Sequence, residues 1–130
     1  MSRRQKRRKE LLSEGREQKL HKTIRLRHLR IAPRKVRAVA DTVRGLEVDK
    51  ALAILDFTFR SAATPLAKLL RAAVANIAAA GKVDIDALIV KEIQIDQGPS
   101  WKRFMPRAMG RATPIKKRTC HVICQLAEKA

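Results

Sequence analysis

Two stretches of this 130-residue chain, residues 18–40 and 97–127, contain no aspartate or glutamate. They hold eight and seven Lys or Arg respectively, so nothing within either stretch offsets its positive charge. Acid is scarce throughout: 12 Asp and Glu stand against 30 Lys and Arg, giving a net charge of +18 and a pI near 11.3. Charge of that size repels itself and works against compactness. It argues against a merely soluble protein and for a polyanionic partner, of which RNA and DNA are the usual ones.

Other absences narrow the field. No apolar run approaches the roughly 20 residues of a membrane-spanning helix, so no membrane partner is expected. The opening MSRRQKRRKELL is basic with no apolar stretch behind it. A secretory signal is therefore not expected, and a cytoplasm-like compartment is. No nucleophile–base pair, phosphate-cradling glycine loop or paired carboxylates stand out. Asp84 and Asp86 fall in a loop, where they suit turns or caps. Neither an enzyme nor a cofactor is expected. There are only two cysteines, in the pattern Cys120-His121-x-x-Cys124. On a strand their Cα atoms would stand ~13 Å apart with His121 on the other face, which suits neither zinc nor a disulfide. Buried thiols in a reducing compartment are the better account. His21 and His28 show no partner pattern and are expected at the surface.

Hydrophobic residues make up 45% of the chain, enough for one packed core. Residues 22–130 are expected to form a single domain, preceded by a basic extension over residues 1–21. Arg3, Arg4, Lys6, Arg7, Arg8 and Lys9 lie in that extension, which should be disordered when alone. A short helix over residues 9–20 is conceivable there. Residues 41–96 carry seven cations and eight acids. A near-neutral middle between cationic flanks is the pattern of a globular body with arms facing a nucleic acid.

Residues 23–27 alternate, with Ile24 and Leu26 on one face and Arg25 and Arg27 on the other, as in a strand with one wet, cationic side. Pro33 suits the first position of a helix. Val36, Val39, Ala40 and Val43 form its apolar stripe, and Gly45 is expected to stop it. A second helix fits residues 47–57, burying Val48, Ala51, Leu52 and Leu55, with Glu47 and Asp49 at its positive end. A third, alanine-rich helix follows, capped by Ser61 or Thr64, tolerating Pro65 and ended by Gly81. Its stripe is Leu66, Leu69, Leu70, Ala73, Val74 and Ile77. Residues 88–96 read as a strand with Ile89, Ile93 and Ile95 on one face, interrupted by Lys91, so a bulge or an edge position is expected. Residues 119–126 alternate cleanly, with Cys120, Val122, Cys124 and Leu126 inward and His121 and Gln125 outward. The fold expected is α+β: three helices on a small antiparallel three-stranded sheet.

Residues 97–118, QGPSWKRFMPRAMGRATPIKKR, do not fit that core. They are too long for an ordinary turn, hold seven cations and no acid, and place Trp101, Phe104, Met105 and Met109 without a sustained period. A protruding hairpin ordered by RNA accounts for them. With arms of about ten residues at ~3.3 Å each it would reach ~30 Å. Phosphates neutralised by its cations, and stacking on Trp101 or Phe104, would supply its order. Gly98-Pro99 and Met109-Gly110 mark bends, and Pro106 and Pro114 should limit regular pairing.

These residues also carry a resemblance. Ala32-Pro33-Arg34-Lys35-Val36-Arg37, Val39-Ala40-Asp41 and Arg44-Gly45 are similar to the first-helix signature of the large-subunit ribosomal protein twenty-two family. Ala51-Leu52, Ile54-Leu55, Ala75-Asn76 and Val90-Lys91-Glu92 fit as well. The most specific match is Asp96-Gln97-Gly98-Pro99-Ser100-Trp101-Lys102-Arg103-Phe104-Met105-Pro106-Arg107-Ala108-Met109-Gly110-Arg111-Ala112, followed by Ile115, Lys117-Arg118-Thr119 and His121. The resemblance runs in order over residues 24–126, in the bacterial or organellar form. It implies a structural constituent of the large ribosomal subunit, bound to its 23S-type rRNA and supporting its assembly. It further implies that the hairpin tip, Trp101, Lys102, Arg103, Phe104, Met105, Pro106, Arg107, Ala108, Met109, Gly110 and Arg111, lines the nascent-peptide exit tunnel opposite ribosomal protein four. The nascent polypeptide would pass it; a second copy of the chain is not an expected partner. Ala32 departs from the serine common before that proline, and Trp101 is bulkier than many residues at its place.

Contact with rRNA phosphates is expected from Arg25, Arg27, Arg30, Arg34, Lys35 and Arg37, from Lys102, Arg103, Arg107 and Arg111, and from Lys116, Lys117 and Arg118 at the hairpin root. A general DNA-binding protein would suit the charge equally, but it needs a helix rich in polar readers, and these helices put Ala and Val on their main faces. A metal-dependent nucleic-acid enzyme is a third reading, which elemental analysis showing no retained zinc or magnesium would remove.

Overall fold

The computed structural model describes residues 23–80 and 84–129. The basic extension 1–21, its conceivable helix and His21 lie outside the described residues, as does Gly81. The chain forms strand β1 (Ile24–Leu29), helices α1 (Pro33–Ala40), α2 (Val48–Phe57) and α3 (Ala63–Ala80), and two long strands, β2 (Leu88–Pro106) and β3 (Ala112–Glu128). The three strands form one antiparallel sheet in the order β1-β3-β2. The expected α+β architecture with a protruding hairpin is the one observed.

The central strand organises the core. Cys120, Val122, Cys124 and Leu126 of β3 point at the helices and are buried, while His121, Ile123 and Gln125 on the other face are half-buried. Burying the thiols raises their pKa: Cys124 is pushed up to about 12, and Cys120 also rises, opposed by the charge of Arg37. Both stay protonated and behave as small apolar side chains. Against this row α1 packs Val36, Val39 and Ala40, α2 packs Val48, Ala51 and Leu55, and α3 packs Leu66, Leu69, Leu70, Ala73 and Ile77. Among the described residues, no helix is long and apolar enough to cross a membrane.

Several local expectations are corrected. Ile89 does not share a face with Ile93 and Ile95. The register of β2 shifts between Val90 and Glu92, so Leu88 and Val90 join Ile93 and Ile95 in the core. One extra residue at Lys91 reverses the side-chain alternation upstream of it. The regular part of α1 ends at Ala40, not at Gly45. Beyond it, tighter turns continue, with the Thr42 N–H donating to Val39 O (3.2 Å) and the Val43 N–H to Ala40 O (3.1 Å), and they still bury Val43. Gly45 then takes φ +76° and donates its N–H to Val90 O at 2.8 Å, while the Val90 N–H donates to Leu46 O at 2.8 Å. The left-handed residue docks the turn onto β2. α3 begins at Ala63, which puts Ala62, rather than Ser61 or Thr64, at its cap position; Ala62 O accepts from the Leu66 N–H at 3.3 Å.

Two arginines, one on α1 and one in the turns after it, tie this segment to the sheet. Arg37 donates through Nη2 to Ile95 O (2.9 Å), and Arg44 donates to Ile93 O from Nη2 (2.7 Å) and Nε (3.2 Å). Arg44 is also paired with Asp41. At the opposite end of β3, Lys129 (2.8 Å) and Lys50 (2.7 Å) meet the carboxylate of Glu47.

Two predictions follow from these contacts. Ala32 stands at the N-cap of α1 without a side-chain acceptor. Ala32→Ser should raise the stability of the free protein by about 1 kcal/mol in urea unfolding, because a serine oxygen satisfies a first-turn N–H. The hydrogen bond from Lys129, and then that from Lys50, lowers the pKa of Glu47 from 4.5 to about 2. A carboxyl held low in the folded state stabilises above its unfolded pKa, and that contribution fades as pH falls from about 4.5 through about 2. Glu47→Gln should flatten the stability profile in that window and leave its shape near neutrality unchanged. An unaltered acid limb would refute the assignment.

Candidate nucleic-acid interface

Beyond the core, β2 and β3 run on together as a two-stranded ribbon. A register shift between Gln97 and Ser100 separates it from the body; Gly98-Pro99, read from the sequence as a bend, lies at this shift within the continuous strand. Thr119, the one buried polar residue among those described, donates its hydroxyl to Pro99 O at 2.6 Å across this joint. Gly98 packs so closely there that an added Cβ would lie 2.5 Å from Thr119 Oγ1. The joint therefore has no room for a side chain.

From Ser100↔Arg118 to Pro106↔Ala112 the ribbon holds seven unshifted pairs. At ~3.3 Å each this reaches ~23 Å, shorter than the arms expected from the sequence. Nor do the prolines interrupt pairing: Phe104↔Pro114 and Pro106↔Ala112 both belong to the ladder. Each ribbon strand has one neighbour, so N–H groups on its outer side bond nothing in the ladder, and proline is tolerated there. At the tip the Arg107 N–H donates to Arg111 O (2.8 Å), and Met109 (φ 60°) and Gly110 (φ +66°) turn the chain. The two consecutive positive φ values help reverse the chain within the five residues between Pro106 and Ala112. A methionine there costs about 1 kcal/mol that a glycine would not.

Lys102 lies directly opposite Lys116, and Trp101 directly opposite Lys117. Like charges across a ladder destabilise it, and no acid between Gln97 and Arg118 offsets them. Trp101, Phe104, Met105 and Met109 are all exposed, Met109 by 94%. The ribbon buries no core of its own. It is cationic, apolar and unsupported at once.

The fold brings some predicted cations together. Arg30, after β1, joins Arg103, Lys116, Lys117 and Arg118 around an open groove of about 650 Å³, with Trp101, Ala32 and Thr119 completing its wall. Five cations and an indole converge there from segments more than 70 residues apart in sequence. Other predicted residues lie elsewhere. Arg25 and Arg27 line a separate cleft on the sheet face away from the helices. Arg34 and Lys35 are exposed on α1, and Arg107 and Arg111 occupy the tip, remote from the groove in register. Arg37 is exposed but spends one guanidinium nitrogen on β2. The sequence reading missed Arg44 as a tie to β2. It also left His28 without a partner. The His28 N–H donates to His121 Nδ1 (3.1 Å), and the two rings meet edge to face at 4.9 Å. The positive φ of His28 (56°), at a β-bulge, creates that contact, and no local pattern announces it.

The Cys120-His121-x-x-Cys124 pattern is split between the two faces of the sheet: the thiols sit in the core, and His121 lies outside it against His28. Fold and ribbon together define a small α+β protein built around a cationic, acid-free arm. The family described as Ribosomal protein L22p/L17e matches residues 24–127, and the chain belongs to it. It is similar to "Large ribosomal subunit protein uL22" of Myxococcus xanthus (strain DK1622), 56% identical over 84% of this chain and 97% of that protein. The protein of the same name from Anaeromyxobacter sp. (strain K) is 58% identical over 81% of this chain and 73% of its own length. That of Desulfitobacterium hafniense (strain Y51) is 54% identical over 79% and 90%.

Gly98→Ala should lower stability by about 1–3 kcal/mol, the usual cost of overpacking, because Thr119 must leave its bond to Pro99. Urea unfolding of the free protein measures this. A shift below a few tenths of a kcal/mol would show that the joint is loose.

Proposed function

We propose that this chain is an rRNA-binding structural constituent of the large ribosomal subunit, and that its ribbon penetrates the rRNA with the tip at the wall of the nascent-peptide exit tunnel. Membership of a ribosomal protein family supports a structural role and not an enzymatic one. The ribosome, cytoplasmic in bacteria, is then its location. One observation carries the finer reading: an acid-free ribbon sets Lys102 against Lys116 and exposes Trp101, Phe104, Met105 and Met109. In water such an arm is opposed by its own charge. Inserted between rRNA segments, its cations meet phosphates, and its flat apolar groups meet bases.

On this reading the groove of Arg30, Arg103, Lys116, Lys117 and Arg118 grips phosphates at the ribbon's root. Arg34, Lys35 and the free side of Arg37 hold the body against RNA, and Arg107 and Arg111 anchor the tip. Such contacts set position, while RNA shape supplies most of the specificity. Residues 101–111 face the tunnel, with ribosomal protein four and the nascent polypeptide as neighbours, as the family resemblance implies. The extension 1–21 adds a further basic segment.

Salt dependence tests the role of the ribbon. Replacing Lys102, Lys116 and Lys117 with alanine should reduce the slope of log affinity for large-subunit rRNA against log salt by about 2. Deleting residues 101–111 should leave the helical circular dichroism of the body intact. It should also empty the tunnel-wall density in large subunits reconstituted with the shortened chain. An unchanged salt slope, or loss of the helical signal on deletion, would count against the proposal.

A further inference from the structure

The sheet face turned away from the helices carries a second set of polar groups. On β1, Arg25 and Arg27 are exposed; on β3, His121 and Ile123 are half-buried; on β2, Asp96 is exposed directly opposite His121. Together with His28 they line an open cleft of about 320 Å³. Cations stand along one edge, imidazole in the middle and a carboxylate along the other edge.

The carboxylate is the informative member. Asp96 is the last acid before 31 residues that have none. Among the described residues its carboxylate makes no ion pair or hydrogen bond, although Arg25 and Arg27 line the same cleft. On a surface that meets only phosphate, an unpaired carboxylate is repelled. It is attracted by N–H donors, and nucleobases present them on their edges.

His121 is held for a complementary task. Its Nδ1 accepts the His28 N–H, so the neutral ring carries its proton on Nε2, as a donor. A side chain at position 98 would put its Cβ 3.2 Å from that nitrogen, and Gly98 leaves the approach clear. An acceptor and a donor thus stand on neighbouring strands of one register pair, with two guanidiniums lining the same cleft.

We propose that this cleft binds one unpaired ribonucleotide whose base bears an exocyclic amino group. Asp96 accepts from that amino group, His121 donates through Nε2 to an acceptor on the base edge, and Arg25 and Arg27 hold the flanking phosphates. This rests on the RNA-binding reading above and adds a base-reading site outside the ribbon.

The test is binding of the full chain to nine-residue ribo-oligonucleotides of adenine, cytosine or uracil at one fixed salt concentration. Uracil lacks the amino group, and its one edge N–H, at N3, lies between two carbonyl oxygens that repel a carboxylate such as Asp96. The amino-bearing oligonucleotides should bind at least about fivefold tighter than the uracil one. Asp96→Ala should bring all three within about twofold, by weakening the first two, with the uracil oligonucleotide unchanged or slightly tighter. If Asp96 merely repels phosphate, the same variant would tighten all three by one common factor, and that result would overturn the site. Substituting Lys116 and Lys117 by alanine should weaken all three alike. Binding without base preference would sink this site alone, whereas binding to none of the three would sink the RNA-binding reading with it.

Discussion

Lys102 faces Lys116 across two paired strands, and no carboxylate between Gln97 and Arg118 softens the repulsion. Much of the rest of the molecule answers that constraint. A free two-stranded ribbon is marginal in water even without opposed charges. This one is an extension of β2 and β3, whose inner halves are fixed in the core by Val90, Ile93, Ile95, Val122, Cys124 and Leu126. The body supplies the pairing register, and on the proposed reading rRNA phosphates offset the charge that opposes it.

The joint between the halves is correspondingly tight. Gly98 admits no side chain, Thr119 bonds Pro99, and the register shifts at that point. A bulge here increases local twist and re-aims the strands beyond it. Arg37 and Arg44 brace β2 just before the joint through the carbonyls of Ile95 and Ile93. Each of these arginines thus has a partner within its own fold. The cations that brace β2 are therefore partly distinct from Arg30, Arg103, Lys116, Lys117 and Arg118 around the groove at the root of the ribbon.

Much of the architecture was legible because it is local. The period of two over Cys120, Val122, Cys124 and Leu126 marked the central strand, and the period of the leucines and alanines from Leu66 to Ile77 marked the longest helix. Met109-Gly110 announced the turn at the tip, while Gly98-Pro99, read as a bend, falls at a register shift within the continuous strand β2. The face of Ile89 was misread because the bulge at Lys91 shifts alternation by one residue. Ser61 and Thr64 suggested caps by residue type, but packing of α3 placed its start at Ala63.

From composition and periodicity alone came the division into a neutral body and an acid-free arm, the helix and strand types, and the inward row of β3. Each depends on neighbours a few residues apart, so the linear order contains it. The joining of Arg30 to Lys116, Lys117 and Arg118, the meeting of His28 with His121, and the setting of Asp96 opposite His121 came only with the folded chain. Those depend on strand order and bulge register, which are set by how distant segments bury one another and not by any residue's own preference.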